Sequence, residues 1–387
     1  MEKVNIIQFM PYFPPHKGGV ETVGQDIGIN WKKSDLGGFL NVITSFEQED
    51  NLEKNEKIIF ENEIIGYKKD YIINLVIPSF EIINNFPIYK FWDKKTRFIF
   101  KYLKLYLQEN KNIRVITHTR FFLPSLFGGI FARKNNLKWI HIEHGSDYVK
   151  LSSKLKTRLS IIYDKIFGKW IFKKADNILA ISEACKNFIN KEFIDRDVNV
   201  FYRGLDIPEI IKEKEDLKEK LDIKLVFIGR LVSLKGVDYL IESYKELNIK
   251  NELIIIGDGE EKQNLEKLSK GFNVKFLGFK NREFIIDYLS KKNCIVINPS
   301  YSEGMPTTVI EGLLSKNIVI ASDVGGTKEI SINSDLLLFE AGNKKQLKQK
   351  IVFSIDNYDD LKGKSYIEIN TKFSREQNII NLYNLIK

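Results

Sequence analysis

The stretch YSEGMPTTVIEG, Tyr301 to Gly312, sets two carboxylates, Glu303 and Glu311, eight positions apart around a Gly, a Pro and two Thr. Pro306 suits the first turn of a helix running to about Leu314. Glu303 then sits in the preceding loop and Glu311 inside the helix. Eight helical residues span about 12 Å, too far for the roughly 5 Å carboxylate pair of a retaining glycosidase. Each acid can instead accept two hydroxyl groups. Between them, the first helix amides and the helix dipole favour an anion. Hydroxyls at both ends with phosphates in the middle describe a nucleotide-sugar. Taken alone, the pair reads equally well as a solvated loop acid and an exposed helical acid.

Neighbouring segments tip that balance. FIGRLVSLKG (227–236) sets Arg230 and Lys235 just beyond a strand that closes in Gly229. A guanidinium fork and an ammonium point charge both suit phosphate oxygens. IIIGDGEE (254–261) closes another strand in Gly257, where a base or ribose can approach the backbone. PPHKGGVE (14–21) places Gly18 and Gly19 at a helix start suited to phosphate or a reacting sugar. VITHTR puts His118 just past a strand end, and IEHGSD (142–147) does the same for His144. His118 is preferred to His144 as a site residue. His16 and His141 read as structural or surface residues.

These residues need strands to carry them. Strand-like runs alternate with helical patterns from KVNIIQFM (3–10) to VNVF (198–201), and the alternation restarts with IKLVFIG (223–229). Such alternation implies parallel sheets covered on both faces, with ligands at the carboxyl ends of the strands. The charged segment 207–222, containing Pro208, reads as the linker. The expected class is α/β, with two Rossmann-like domains whose parallel sheets face a central cleft. The first spans 1–205 and the second 206–370, and residues 371–387 look amphipathic.

The totals agree with this. At 387 residues the chain fits two or three domains. Two distant cysteines, Cys185 and Cys294, exclude a disulfide framework or a Cys-based structural metal and suit a reducing compartment. The N-terminus lacks a signal peptide's features, and no run approaches the roughly 18 apolar residues of a membrane span. Of the net charge of +9, all lies in residues 1–205, which hold 32 basic and 23 acidic residues against 28 and 28 beyond. Residues 85–174 alone carry 20 basic and 5 acidic residues. That field attracts an anionic partner.

Gly229-Arg230, Lys235-Gly236, the GDG turn, EGMPTTVIE as Glu-x7-Glu, and DVGGTKEI (323–330) occur in this order over most of residues 220–335. The combination resembles family-4 retaining glycosyltransferases of GT-B fold. The resemblance implies that Arg230 and Lys235 hold the donor diphosphate, Glu311 the ribose, and Glu303 the donor sugar hydroxyls. Gly304, Met305, Thr307 and Thr308 would line sugar and phosphates, with Phe279 by the base. Gly18 and Gly19 match the family's N-terminal glycine loop, and His118 its histidine near the transferred sugar. The implied catalytic set is His118, Glu303, Arg230 and Lys235. RGLD (203–206) departs from the family's Asn-Gly-Val-Asp at the domain exit, and the resemblance implies that a C-terminal helix over 371–387 crosses back to the first domain. DRD (195–197) mimics an Asp-x-Asp metal motif in the wrong context, so no essential metal and no cofactor are expected. The implied activity is hexosyl transfer with retention, from a UDP-sugar ahead of a GDP-sugar. The acceptor would be a glycan or lipid-linked molecule of bacterial surface polysaccharide assembly.

Two segments, FPIYKFWDKKTRFIFKYLKLYL (86–107) and residues 150–174, interleave apolar and basic residues. Each can be a core helix with solvated charges or an interfacial helix on an anionic bilayer. The net charge favours a cytoplasmic enzyme peripheral to the inner face of the membrane. Nucleic acid would explain the charge but not the donor residues. An epimerase of the same fold and a non-catalytic nucleotide-sugar or glycan-binding subunit are the alternatives.

Overall fold

Apolar runs that end in glycine or a polar residue become the strands of two separate sheets. The computed structural model describes the whole chain except residues 14–18, 46–52, 82–85, 150–153, 206–221 and 334. Gly18, His16, Asp206 and nearly all of the expected linker lie outside the described residues. The chain divides into two units: Met1–Gly204 with Arg375–Lys387, and Leu205–Ser374.

In the first unit the strands are β1 (Asn5–Phe9), β2 (Phe39–Thr44), β3 (Glu56–Phe60), β4 (Glu63–Lys69) and β5 (Ile72–Ile77). A small hairpin, β6 (Ser79–Glu81) and β7 (Pro87–Tyr89), precedes β8 (Ile113–His118), β9 (Lys138–Glu143), β10 (Asn177–Ala180) and β11 (Asn199–Val200). The nine-stranded sheet runs β11-β10-β9-β8-β1-β2-β5-β4-β3. Helices cover both faces, and β2 is buried along its whole length. The sheet is parallel, as expected, except at one edge. β4 runs antiparallel to both β5 and β3. The cause is local: Glu61 and Asn62 both adopt positive φ, 48° and 65°, the geometry of a tight hairpin turn.

The second unit holds β12 (Lys224–Ile228), β13 (Leu253–Ile256), β14 (Val274–Gly278), β15 (Cys294–Asn298), β16 (Ile318–Ser322) and β17 (Leu336–Phe339). Its order is β14-β13-β12-β15-β16-β17, and every pairing is parallel. The order reverses between β12 and β15, the crevice where such sheets bind ligands. Phe227, Ile255, Ile297 and Ile320 form part of the core under the helices.

Helix Tyr366–Lys372 belongs to the second unit, and the chain from Arg375 onward belongs to the first. Helix Arg375–Ile386 ends against the first unit's strands. Arg114 Nε donates to the carbonyl of Ile386 at 3.0 Å, and Asn177 Nδ2 to that of Leu385 at 2.8 Å. These bonds satisfy helix-end carbonyls that would otherwise lack partners. At the exit, Arg203 Nη2 pairs with Asp26 Oδ2 at 2.7 Å.

Candidate active site

The second unit gathers most of the residues expected to meet a donor around the β12/β15 crevice. After β12 the chain turns through the short helix Ser233–Lys235 into Gly236, whose φ is +63°. A Cβ there would lie 2.3 Å from the Pro299 carbonyl oxygen, so only glycine fits this packing. The Tyr239 hydroxyl donates to that same carbonyl, and the Tyr301 amide donates to Leu234 at 2.9 Å. These contacts bind the loop after β12 to the loop after β15. They bring Lys235 Nζ to 2.5 Å from Glu303 Oε1. Ser300 Oγ donates to the same oxygen at 2.7 Å, and Asn298 Nδ2 approaches it at 3.5 Å. Asn298 Nδ2 also donates to Thr308 Oγ1 at 3.2 Å. A carboxylate oxygen so committed to cations and donors is a poor nucleophile, and a well-fixed acceptor.

Glu311 lies inside helix Thr307–Leu314, nearly buried. Arg282 Nε donates to its Oε1 at 2.9 Å. Arg282 is absent from the sequence-derived residues. A signal exists, since it opens helix Arg282–Lys291. A cation in the first turn opposes the helix dipole and points to a carboxylate partner elsewhere.

Gly229, Gly257 and Gly278 stand side by side at the ends of β12, β13 and β14. The Gly229 amide donates to Ile256 at 3.0 Å and the Gly257 amide to Gly278 at 3.0 Å. Gly257 has a φ of +151°, and a Cβ there would lie 1.8 Å from the Gly229 carbonyl oxygen. Phe279 follows, half exposed at 51%. Arg230 is exposed and has no ion-pair partner among the described residues. Met305 is almost buried, and the Gly304 carbonyl accepts from the Gly326 amide at 2.9 Å, which joins the DVGG turn to the Glu303 loop. Thr307 is half-buried at the helix start.

In the first unit the corresponding crevice lies between β1 and β8. Gly19 opens helix Gly19–Lys33, with open space where a side chain would be. A chain of buried polar groups crosses four adjacent strands, β5, β2, β1 and β8, and ends in the loop after β9. Asn74 Nδ2 donates to the Ile72 carbonyl (3.2 Å), Asn41 Nδ2 to Asn74 Oδ1 (2.9 Å), and Gln8 Nε2 to Asn41 Oδ1 (2.8 Å). Gln8 Nε2 also donates to the Gly24 carbonyl at 3.1 Å. Backbone carbonyls only accept, so the direction of the whole chain is set. Gln8 Oε1 must therefore accept from His118 Nε2 at 2.8 Å. The neutral His118 ring is left with Nδ1 as acceptor, and His144 Nε2 donates to it at 3.0 Å. His144 keeps Nδ1 as a bare acceptor.

This geometry corrects the expectation that His118 reaches a ligand directly. His118 is fully buried and both its nitrogens are engaged inside the protein. His144, set second in the sequence reading, is half-buried at the end of the chain of bonds. Burial depresses both imidazoles, His118 well below 6.5 and His144 to about 4.

Beneath them, Arg120 pairs with Glu143 (2.9 Å) and Asp164 (3.0 Å), all three almost fully buried. Burial alone would raise the Glu143 carboxyl, but Arg120 and His141 hold it well below the usual carboxylate range. Glu143 Oε1 also accepts the amides of His144 and Gly145, at 3.0 and 2.8 Å. The charge cluster thereby fixes the loop that carries His144. Asp195 and Asp197 of the DRD motif are exposed in the loop before β11.

Two family models match the chain in tandem. One, described as Glycosyltransferase Family 4, covers residues 18–208, and the other, Glycosyl transferases group 1, covers 209–370. An uncharacterized glycosyltransferase of Methanocaldococcus jannaschii is 36% identical over 92% of this chain and 91% of its own length. The putative teichuronic acid biosynthesis glycosyltransferase TuaC of Bacillus subtilis is 27% identical over 73% of this chain and 75% of its own. Among solved structures, sucrose-phosphate synthase of Thermosynechococcus elongatus matches with a TM-score of 0.76 at 16% identity, covering 99% of this chain and 98% of that one. HepE of Anabaena in complex with UDP-glucose matches at 0.68 and 16%, covering 98% and 99%.

Proposed function

Because the chain belongs to the glycosyltransferases of GT-B fold, we propose that it transfers a hexosyl group, with retention, from a nucleotide-diphosphate sugar to a glycan or lipid-linked acceptor. The observation that carries this reading is the cluster at the β12/β15 crevice, where Lys235 meets Glu303 at 2.5 Å beside the start of helix Thr307–Leu314. Cation, carboxylate and helix amides at one strand end suit a ligand with both phosphates and hydroxyls.

In this reading Arg230, Lys235 and the helix amides hold the diphosphate. Glu311, steadied by Arg282, takes the ribose hydroxyls, and Phe279 flanks the base. Glu303 accepts from donor sugar hydroxyls, with Gly304, Met305, Thr307 and Thr308 lining the sugar and phosphates. Gly19 opens its helix in the first unit with free space beside it for a ligand. His144 offers a neutral Nδ1 to a sugar hydroxyl, and His118 holds its tautomer.

The acceptor oxygen attacks the anomeric carbon on the face the phosphate leaves. The electron pair of the breaking C–O bond goes to the diphosphate, and a phosphate oxygen takes the acceptor's proton. Negative charge grows on the leaving group, so cations fixed there lower the barrier most. Arg230 and Lys235 supply that charge, and turnover in excess chelator is expected. UDP is favoured over GDP as the carrier, in line with HepE's complex with UDP-glucose. The likeness to TuaC and the basic first unit support surface-polysaccharide assembly at an anionic membrane, on its cytoplasmic face.

The test is product analysis. Purified chain, UDP-glucose or another UDP-sugar, and a glycan or polyprenyl-linked acceptor should give a product with the donor's anomeric configuration by NMR. An inverted product, or donor consumed to an epimer without acceptor, overturns the proposal.

A further inference from the structure

We infer that the helical segment Leu155–Lys174 is a membrane-docking face. It would lay a Leu/Ile stripe into the acyl boundary of an anionic bilayer and its lysines among the lipid headgroups. The inference rests on the membrane part of the reading above and not on the donor chemistry. No helix among the described residues is long and apolar enough to cross a membrane, so contact with a bilayer falls to a surface.

The sequence offers two amphipathic candidates, and the structure separates them. Helix Lys94–Glu109 turns Ile99 and Leu103 into the core, with Phe98, Phe100, Tyr102 and Tyr106 packed against it. Its Lys94 and Lys101 are paired with Glu63 and Glu61 of the β3–β4 hairpin. That helix is an ordinary cover for a sheet.

The second candidate buries Ile171 and Phe172 near its end but leaves an apolar stripe open before them. Helix Lys154–Tyr163 continues through a π-helical turn, Asp164–Gly168, into helix Lys169–Lys174. Leu155, Leu159, Ile162 and Ile166 recur at helical spacing, and they are 68, 58, 54 and 59% exposed. Large apolar side chains repeated along one open face are not scattered surface residues. The exposed charges of the segment are Lys156, Arg158, Lys165, Lys169, Lys173 and Lys174. Its one acid, Asp164, is 1% exposed and bound to Arg120. The outward surface from residue 155 to 174 is thus built from Leu, Ile, Lys and Arg, the composition of a helix lying in a bilayer interface.

A groove of about 690 Å³ continues this surface, lined by the cations Arg133, Lys169, Lys173, Lys174 and Arg196 and by two acids, Asp176 and Asp195. Its Asp176 carboxylate is engaged by Arg133 at 3.6 Å and by the Trp139 amide at 2.8 Å. Arg196 is spent on the carbonyls of Phe172, Ala175 and Asp176. The three lysines remain for headgroup phosphates. A second copy of the chain is the wrong occupant, since two-fold pairing would oppose six like charges with no exposed acid of the segment to meet them.

The experiment is co-sedimentation of the full chain with vesicles of phosphatidylcholine alone or mixed equally with phosphatidylglycerol. Nucleotide binding is followed in parallel by the thermal shift with UDP. The native chain should partition onto the anionic vesicles, and less so at high salt. Leu159→Asp with Ile162→Asp should lower that partition at least about tenfold with the UDP shift unchanged. Lys165→Gln with Lys169→Gln should reduce the preference for anionic over neutral vesicles. Equal binding by the stripe variant means another surface docks, and overturns the inference while membrane association stands. No vesicle binding by a native chain that binds UDP overturns the inference and leaves sugar transfer standing. A dimer in light scattering that the stripe variant dissolves also overturns it.

Discussion

Lys235 Nζ stands 2.5 Å from Glu303 Oε1, so two residues that would grip different parts of one donor grip each other. The pair is partly shielded, with side chains 22 and 12% exposed. On the proposed donor reading, a diphosphate arriving at Lys235 would share or replace that contact. The ammonium would then turn from a carboxylate to a phosphate, and Glu303 would be released toward sugar hydroxyls. Ser300 and Asn298 keep the carboxylate placed meanwhile.

Lys235→Ala should therefore lower kcat by about 10²–10³, the usual cost of removing a donor aimed at developing charge. Glu303→Gln keeps the shape and the Ser300 contact but loses the negative charge, and kcat/KM should fall by a similar factor. Steady-state kinetics on both variants checks this. A sugar ester trapped on Glu303 in the native chain, seen by mass spectrometry, contradicts same-face attack.

Arg282→Ala should weaken UDP binding by about tenfold, because Glu311 loses the partner that orients it. Calorimetry with uridine and with UDP separates the causes. If Arg282 acts through Glu311 and the ribose, both ligands lose affinity alike. A loss confined to UDP would mean that Arg282 holds phosphate itself.

Two histidines and one carboxyl make stability depend on pH with opposite signs. His144 is depressed to about 4 from 6.5, so its contribution is present above pH 6.5 and lost as pH falls through 4. His118 has the same sign. Asp164, pushed by burial up to about 6 from 3.8 despite Arg120, contributes stability below 3.8 that is lost as pH rises through 6. Between pH 4 and 6 these contributions oppose. Asp164→Asn removes the falling one, and the variant's Tm should climb more steeply with pH over that window than the native Tm. A variant slope no steeper than the native one contradicts the assignment.

Gln8→Leu cuts the buried chain and strands His118 Nε2–H and Asn41 Oδ1. It should cost roughly 1–3 kcal/mol of stability, read by denaturant titration. It should also lower kcat by releasing the His144 tautomer. A variant as stable as the native chain would show the two orphaned groups finding other partners.

The second unit's sheet and its loops were legible because their signals are local. Gly229, Gly257 and Pro306 mark strand ends and a helix start without help from tertiary contacts. The β3–β4 hairpin was not, since its turn depends on positive φ at Glu61 and Asn62, residues that do not announce it. The chain of bonds behind His144 left a trace that went unread. Gln8, Asn41 and Asn74 each interrupt an apolar strand. Only the register, which sets Gln8 beside Asn41 and Asn41 beside Asn74, turns three isolated polar residues into one network. His118 looked like the exposed histidine because a sequence shows that a strand ends, not how deep its last residue lies.

The most direct test of the central claim is the thermal shift of the full chain with UDP, GDP and ADP in excess chelator, beside Glu311→Ala. A ligand that binds only the folded state raises stability by RT ln(1 + [L]/Kd). The donor-site account predicts that UDP raises the native midpoint without metal and that the variant loses that rise. A native chain that no nucleotide stabilises, or a variant stabilised as much as the native, would contradict it.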